Sequence, residues 1–369
     1  MKLLVSCIPY DGGKSGISAY VREVVRELAV QGHGLTLLCE PGEPLASLPA
    51  SRRVSAPAWT RRPALSMLWH LFVLPFWIRR HRRDFDGFVV CAANRRVCAW
   101  YPLPTVATVH DLANFHVPGK YSRLRMFYLA HVLPRFAKRA RRLVAVSGAT
   151  KADMVRFWRC RPEDVTVLYN GLRTSGLRLQ TYSRSPKPEA RSLLYVSRIE
   201  PPGKNHVRLI EAYSRLPRPM AAAHPLVLAG ADWKDAGAAH AAAARSPYAD
   251  FIRFTGFVDD ARLEELWQAT GCYVFPSLFE GFGLSLVEAM ARGIPCACSN
   301  NSSLGEIAGD AAITFDPEDV GEISGALARL ISEPEGERAA RIARGRERAR
   351  LYSWADHAAG LARLLEGAA

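Results

Sequence analysis

Short, almost wholly apolar runs alternate with stretches of helical spacing along most of this chain, and that alternation limits the folds open to it. Lys2 to Ile8 is one such run; a glycine loop follows, then Ser18 to Gln31 with Ala19, Val21, Val24, Val25 and Leu28 on one helical face, then the strand Leu35 to Cys39. This is a βαβ unit. A strand with no polar alternation is covered on both faces, which points to a parallel sheet between helices. FVVCA after Asp86, TVATVH ending at His110, LVAVS ending at Ser147 and DVTVLYN ending at Asn170 continue the pattern. Residues 173–191 (RTSGLRLQTYSRSPKPEAR) lose it and read as a linker. It restarts with SLLYVS, PLVLAG, IRFTGF, CYVFPS and IPCACS. Two Rossmann-like β/α/β domains are therefore expected, residues 1–172 and 192–351, facing each other across a cleft. Tyr352 to Glu366 places Trp354, Ala358, Leu361 and Leu365 on one face, so a helix over about 352–369 should pack back on the first domain.

Charge separates the halves. Residues 1–180 hold 28 basic and 11 acidic side chains, whereas residues 181–369 hold 21 and 24. The excess of +14 thus belongs to the first half, which should attract a polyanion, either a nucleic acid or a bilayer rich in acidic lipid. The eight cysteines sit mostly in apolar runs without CxxC pairs or zinc spacing, and read as reduced, buried thiols of a cytosolic protein. The amino terminus is too soon broken for a secretory signal. The longest apolar run, Leu65 to Ile78, holds His70 and Pro75 and falls short of the ~20 residues that span a bilayer.

The segment Cys272 to Ser299 is the most informative for function. A buried strand (CYVFPS) runs into the loop LFEGFG, then into a helix (LSLVEAMAR) closed by Gly293. Ligands of open parallel sheets bind at the carboxyl ends of strands, where this loop lies. Gly281 and Gly283 let the backbone approach a ligand, and the helix start offers N–H groups to an anion or a sugar hydroxyl. Glu280 stands in the loop and Glu288 in the helix among Leu286, Val287, Ala289 and Met290, company in which a carboxylate needs a partner. A second strand-to-helix loop, RIEPPGKNH, carries Arg198 and Lys204, two cations suited to a diphosphate.

In the first half, GKS at 13–15 lacks the glycine at position 8 that a phosphate-binding P-loop needs, and GGKSG is not a dinucleotide fingerprint, although Glu40 stands where a ribose-binding acid would. His110, followed by Asp111, ends a parallel strand. Asp84-Phe85-Asp86 imitates a metal-binding DxD but precedes its strand, so no metal site is assigned to it.

EGFGLSLVE resembles the E-x7-E element of retaining glycosyltransferases of the GT-B fold, family four. VSRIEPPGKN is similar to that family's Arg-to-Lys diphosphate loop, and VSGATKADM, VLYNGL, VLAGADW, FTGFVDD and SNNSSLGEIAGDAAITFDP follow in the family's order. The resemblance implies that Arg198 and Lys204 hold the leaving nucleotide diphosphate and Glu288 the ribose hydroxyls. It implies that Glu280, with the backbone of Gly281, Phe282, Gly283 and Leu284, holds the donor sugar, and that Val258 lies beside the base. It also places Gly13 and Gly16 along the cleft and His110 against the donor sugar. Gly305 departs from the proline of many relatives and bears on the stiffness of a loop.

The implied reaction moves a hexose from a nucleotide diphosphate to a glycan or lipid-linked hydroxyl with retention, without cofactor or metal, in bacterial surface polysaccharide or glycolipid synthesis. GDP-mannose is the first choice of donor, ahead of UDP-glucose and UDP-N-acetylglucosamine. A GT-B nucleotide-sugar epimerase or phosphorylase is the nearer rival. A basic nucleic-acid-binding protein is the non-enzymatic one, although no RNA motif, zinc finger or helix-turn-helix supports it. Arg61, Arg62, the run Arg79 to Arg83 and the run Arg135 to Arg142 flank or follow an aromatic stretch with Trp69, Phe72, Phe76 and Trp77. Such a layout suits an anionic membrane surface, reached through residues 61–83 and 135–142, and a peripheral place on the cytoplasmic face of the inner membrane. Whether residues 65–78 contact the membrane or fill the core is open at this level.

Overall fold

The computed structural model describes the chain except residues 9, 11–14, 43–44, 118–121, 173–190 and 368–369. It divides into two compact units, Met1–Arg173 with Ser353–Ala369, and Thr174–Tyr352. The linker expected over 173–191 lies almost wholly outside the described residues.

In the first unit, strands β1 (Lys2–Ser6), β2 (Gly34–Cys39), β3 (Arg52–Ser55), β4 (Gly87–Val90), β5 (Thr105–Val109), β6 (Arg142–Ala145) and β7 (Val165–Val167) form a parallel sheet in the order β3-β2-β1-β4-β5-β6-β7. In the second, β8 (Ser192–Val196), β9 (Leu226–Ala229), β10 (Ile252–Phe254), β11 (Thr270–Phe275), β12 (Cys296–Ser299) and β13 (Ala312–Phe315) are ordered β10-β9-β8-β11-β12-β13, again all parallel. Both sheets are doubly wound. The strand order reverses between β1 and β4 in one and between β8 and β11 in the other, and the crevice at such a reversal, outside the carboxyl ends of the strands, is where these sheets bind ligands.

The first crossover shows how the sequence builds this. Ser15 accepts the Ser18 N–H at 3.3 Å and starts the helix Gly16–Val30, whose Ile17, Tyr20, Val21, Val24, Val25 and Leu28 are buried. Apolar spacing of three and four residues gives a single buried face, which the sheet and the carboxyl-terminal helix cover. The carboxyl-terminal helix Trp354–Glu366 lies against Gly16–Val30 and β5 and buries Trp354, Ala358, Leu361 and Leu365. It therefore belongs to the first unit.

Two helices of this unit share an unusual break. Pro63–Leu68 and Leu74–Arg80 are joined by a π turn, Trp69–Val73, and Arg123–Phe127 and Leu133–Ala137 by another, Tyr128–Val132. Each π turn precedes a Leu-Pro pair. Proline has no N–H to bond four residues back, so the chain widens and Leu74 and Leu133 donate instead to the carbonyls five residues earlier, Trp69 and Tyr128. The Leu71 carbonyl that Pro75 cannot serve accepts the Ala99 N–H at 2.8 Å.

Two strands escape the sequence reading. β3 (RRVS) is an edge strand with both arginines exposed, and β13 (AITF) is only four residues long with one residue exposed, so neither reads as an apolar run. Gly305 is a correction: it lies inside the helix Ser302–Ala308, not in a loop, and a Cβ there would meet the Asn300 carbonyl at 2.5 Å. None of the eight cysteines is in a disulfide and all are buried. Among the described residues no helix is long and apolar enough to cross a membrane.

Candidate functional site

Arg198 and Lys204 leave the end of β8 and Glu280 leaves the end of β11, so the three come from the two strands that flank the reversal in the second sheet. The loop carrying the cations is held at several points. Asn205, buried and with φ +59°, donates through Nδ2 to the carbonyls of Pro276 at 2.9 Å and Pro317 at 2.7 Å. The Gly203 carbonyl accepts the Leu278 N–H at 3.0 Å, which ties the two loops together through the backbone. The Tyr195 hydroxyl donates to the Lys204 carbonyl at 3.0 Å and lies 2.9 Å from Ser277 Oγ. These anchors fix where the lysine side chain starts.

Lys204 Nζ lies 2.5 Å from Glu280 Oε1, and the two side chains are 23% and 15% exposed. The pair is half-sheltered: shielded enough for its charges to matter, open enough for a ligand to reach them. Glu280 is itself fixed through its backbone, its N–H donating to Ser302 Oγ at 3.2 Å and its carbonyl accepting from Ser303 Oγ at 2.9 Å. Arg198 lies 4.9 Å above the ring of Trp233 and 3.0 Å from the Glu200 carboxylate. Stacking on an indole orients the guanidinium plane without using its N–H donors. His206, buried beside this loop, has its pKa pushed down to about 3 by burial and then by the Lys204 charge, so it stays neutral.

Behind the Glu280 loop, the helix Leu284–Ala291 begins at Gly283, whose φ is +101°. A Cβ at Gly283 would come within 2.7 Å of Leu304 Cδ2, so a larger residue would be strained there in two ways. Phe282 is buried with its ring edge-on to Tyr352, 5.4 Å between centroids. Glu288 is 8% exposed in this helix, not a surface glutamate. Tyr273 is held well above its ordinary pKa, by burial foremost and in lesser part by the Glu288 charge. Val258 is half-buried in the loop after β10. That loop is drawn toward β8 by Gly230, which bridges to Gly256 and passes so close to Ser197 that a Cβ on it would sit 2.0 Å from the Ser197 carbonyl.

In the first unit, Gly16 opens the helix after β1 and an added Cβ would meet nothing; Gly13 lies outside the described residues. His110 follows β5 directly and is buried. Burial pulls its pKa down to about 4, so at neutral pH it is uncharged. Its Nε2–H donates to the Cys91 carbonyl at 2.6 Å, which leaves the lone pair on Nδ1. Tyr20 packs edge-on to it at 4.6 Å, and Tyr20 is fixed in turn by Thr108 at 2.9 Å and by His357 of the carboxyl-terminal helix at 2.8 Å. Asp86 of the DxD look-alike accepts the Lys2 N–H at 2.7 Å and so joins the starts of β1 and β4. Trp233, Glu200 and Asn205 were not singled out from sequence. Trp233 closes VLAGADW and Glu200 and Asn205 stand in RIEPPGKN, so the motifs were visible while the contacts were not.

The chain matches the family model for glycosyl transferases group 1 over residues 182–348 and that for Glycosyltransferase Family 4 over residues 14–176. It is 27% identical to the O-antigen chain mannosyltransferase B of Escherichia coli over 96% of each protein. Its fold is similar to that of sucrose-phosphate synthase from Thermosynechococcus elongatus, with a TM-score of 0.76 at 17% identity over 100% of this chain and 99% of that one. It is also similar to HepE from Anabaena, solved with UDP and glucose, at 0.73 and 18% identity over 99% of each. With one family model on each half of the chain and two doubly wound sheets beneath them, this protein belongs to the family-four, group 1 glycosyltransferases of the GT-B fold.

Proposed function

We propose that this glycosyltransferase moves mannose from GDP-mannose to the hydroxyl of a glycan or lipid-linked acceptor, with retention of anomeric configuration and without a metal or other cofactor. The observation that carries the reading is the fixed Lys204–Glu280 pair at the β8/β11 reversal, with Arg198 on the same loop as Lys204. Two cations and a carboxylate there match the two ends of a sugar diphosphate. The choice of mannose is supported by the relationship to the O-antigen chain mannosyltransferase over nearly the whole of both chains.

In this reading Arg198 and Lys204 bear the diphosphate, and Lys204 exchanges part of its bond to Glu280 for a diphosphate oxygen. The freed Glu280 oxygen accepts a hydroxyl of the donor sugar, and the N–H groups at the start of the helix Leu284–Ala291 face the same group. Glu288 receives the ribose hydroxyls, and the backbone near Val258 lies beside the base. His110, neutral and with its lone pair on Nδ1, accepts a hydrogen bond from a sugar hydroxyl and supplies no proton. Gly16, at the start of the helix after β1, faces the donor sugar and the acceptor. The bond from the anomeric carbon to the diphosphate oxygen breaks while a bond to the acceptor oxygen forms on the same face. The acceptor's proton passes to the departing diphosphate. Charge builds on the leaving group as the sugar becomes cation-like, so fixed positive charge lowers the barrier more than it aids ground-state binding.

Purified protein incubated with labelled GDP-mannose, UDP-glucose and UDP-N-acetylglucosamine, with melting temperature and nucleotide release as readouts, tests this. Stabilisation and GDP release with GDP-mannose alone support it. Response to a UDP-sugar alone reassigns the donor, and isomerisation of the sugar without an acceptor removes the transfer reaction.

A further inference from the structure

We propose that one surface of the amino-terminal unit, built by the two π-interrupted helices over 63–80 and 123–137, docks on an anionic lipid bilayer and inserts apolar side chains into it. Both helices use one side for the core: Leu71, Leu74 and Ile78 in the first, Leu133 and Ala137 in the second, are buried. Both also expose large apolar residues that the core does not use. Leu68, Phe72, Val73 and Phe76 are 45 to 64% exposed, Leu124 and Phe127 are 81% and 58%, and Trp59, just before the first helix, is 51%. Exposed apolar residues scattered singly are ordinary; six on two helices that share a support are not.

The shared support is residues 94–101. The Ala99 N–H caps the Leu71 carbonyl, Trp100 lies edge-on to Phe76 at 5.4 Å, and Arg96 reaches Ser66 Oγ at 3.3 Å while its charge acts on Tyr128. Arg139, just beyond the second helix, donates to the Ala99 carbonyl. The apolar residues are therefore framed by one piece of structure.

Charge names the occupant. Residues 51–83 and 122–142 hold fifteen lysines and arginines and no aspartate or glutamate. Arg61 and Arg62 precede the first helix and Arg79, Arg80, Arg82 and Arg83 end it, all exposed; Arg123 and Arg125 open the second, and Lys138, Arg141 and Arg142 follow it, exposed as well. An apolar strip bounded by cations matches the acyl and headgroup layers of a bilayer that carries acidic lipid. A nucleic acid would satisfy the cations and leave Leu68, Val73 and Leu124 with nothing to contact. A second copy of the chain would set cation against cation.

Flotation of the full-length protein with vesicles of phosphatidylcholine alone, or with about one-third phosphatidylglycerol, tests the proposal. Phe72→Ser with Phe76→Ser, Leu124→Ser with Phe127→Ser, and Arg79→Glu with Arg80→Glu are compared, with thermal melts to confirm that each remains folded. The parent should float with the anionic vesicles only, each apolar pair should weaken binding about tenfold, and about 0.5 M salt and the charge reversal should weaken it further. No flotation overturns the proposal. So does flotation that the serine variants leave unchanged, binding of RNA or DNA in place of vesicles, or a dimer in sedimentation that the serine variants dissociate. Lys204→Ala protein should float like the parent, so failure here and failure of the donor assignment remain separate results.

Discussion

Replacing Lys204 by methionine keeps the aliphatic stem and removes the charge, so it asks how much of the catalysis the Lys204–Glu280 pair supports. Two unit charges about 4 Å apart interact by about 4 kcal/mol in surroundings of effective dielectric ~20, which suits side chains 23% and 15% exposed. Only the part of that attraction that grows as the diphosphate departs lowers the barrier, and removing one such contact typically costs about 3 to 4 kcal/mol, or 10²- to 10³-fold in rate. Lys204→Met should therefore cut kcat/KM for nucleotide release by that factor. The fold should survive, because the Lys204 carbonyl still accepts Tyr195 and the loop stays tied through Asn205. The stranded Glu280 should lower stability by about 1 kcal/mol. Adding Glu280→Gln should recover that stability and none of the activity, since it removes the uncompensated charge but neither restores the lost cation nor keeps the carboxylate's sugar contact. A coupled assay for released GDP and thermal melts read the two quantities. Activity of Lys204→Met within about threefold of the parent, or activity restored in the double variant, would refute the reasoning.

Stability should fall on mild acidification. His70, His110, His206 and His357 have folded pKa values pulled to about 3 or 4 by burial, below the ordinary 6.5. The unfolded chain then binds protons more readily than the folded one, so stability is complete above about pH 6.5 and is lost as pH drops toward the folded values, by about 2 kcal/mol per histidine at about pH 5. Calorimetry between pH 7.5 and 5 should show a midpoint lowered by ~10 °C, and a flat profile would contradict the buried neutral rings. Gly230→Ala should be costly despite the small change, because its Cβ would lie 2.0 Å from the Ser197 carbonyl, next to Arg198. We expect at least about 3 kcal/mol of lost stability, or a soluble protein with weakened donor binding, and a variant like the parent in both respects would mean the loop tolerates the shift.

Much of this architecture could be read from sequence because parallel strands buried on both faces are apolar throughout: β1, β5, β8 and β11 are continuous runs and stand out. β3 and β13 are short and partly exposed, and only pairing with a neighbour identifies them. The loops carrying Arg198, Lys204 and Glu280 were evident as strand ends followed by helices. Their joining was not, since Lys204 and Glu280 are 76 residues apart and meet only because β8 and β11 are adjacent. Glu288 in apolar company was a correct sign of burial. For His110 the strand pattern shows position but not state: burial, with Tyr20 packed against it, holds the ring neutral, and its hydrogen bond to the Cys91 carbonyl pulls the other way. Residues 65–78 read as either core or membrane contact, and in the structure they are both buried and exposed: Leu71, Leu74 and Ile78 are buried, while Leu68, Phe72, Val73 and Phe76 are exposed.

A crystal structure of the protein grown with GDP tests the central claim most directly. The account predicts diphosphate oxygens within hydrogen-bond distance of both Arg198 and Lys204, with the Lys204–Glu280 contact lengthened. A diphosphate bound in the amino-terminal unit beside Gly16 or His110, with Lys204 still closed on Glu280, would contradict it.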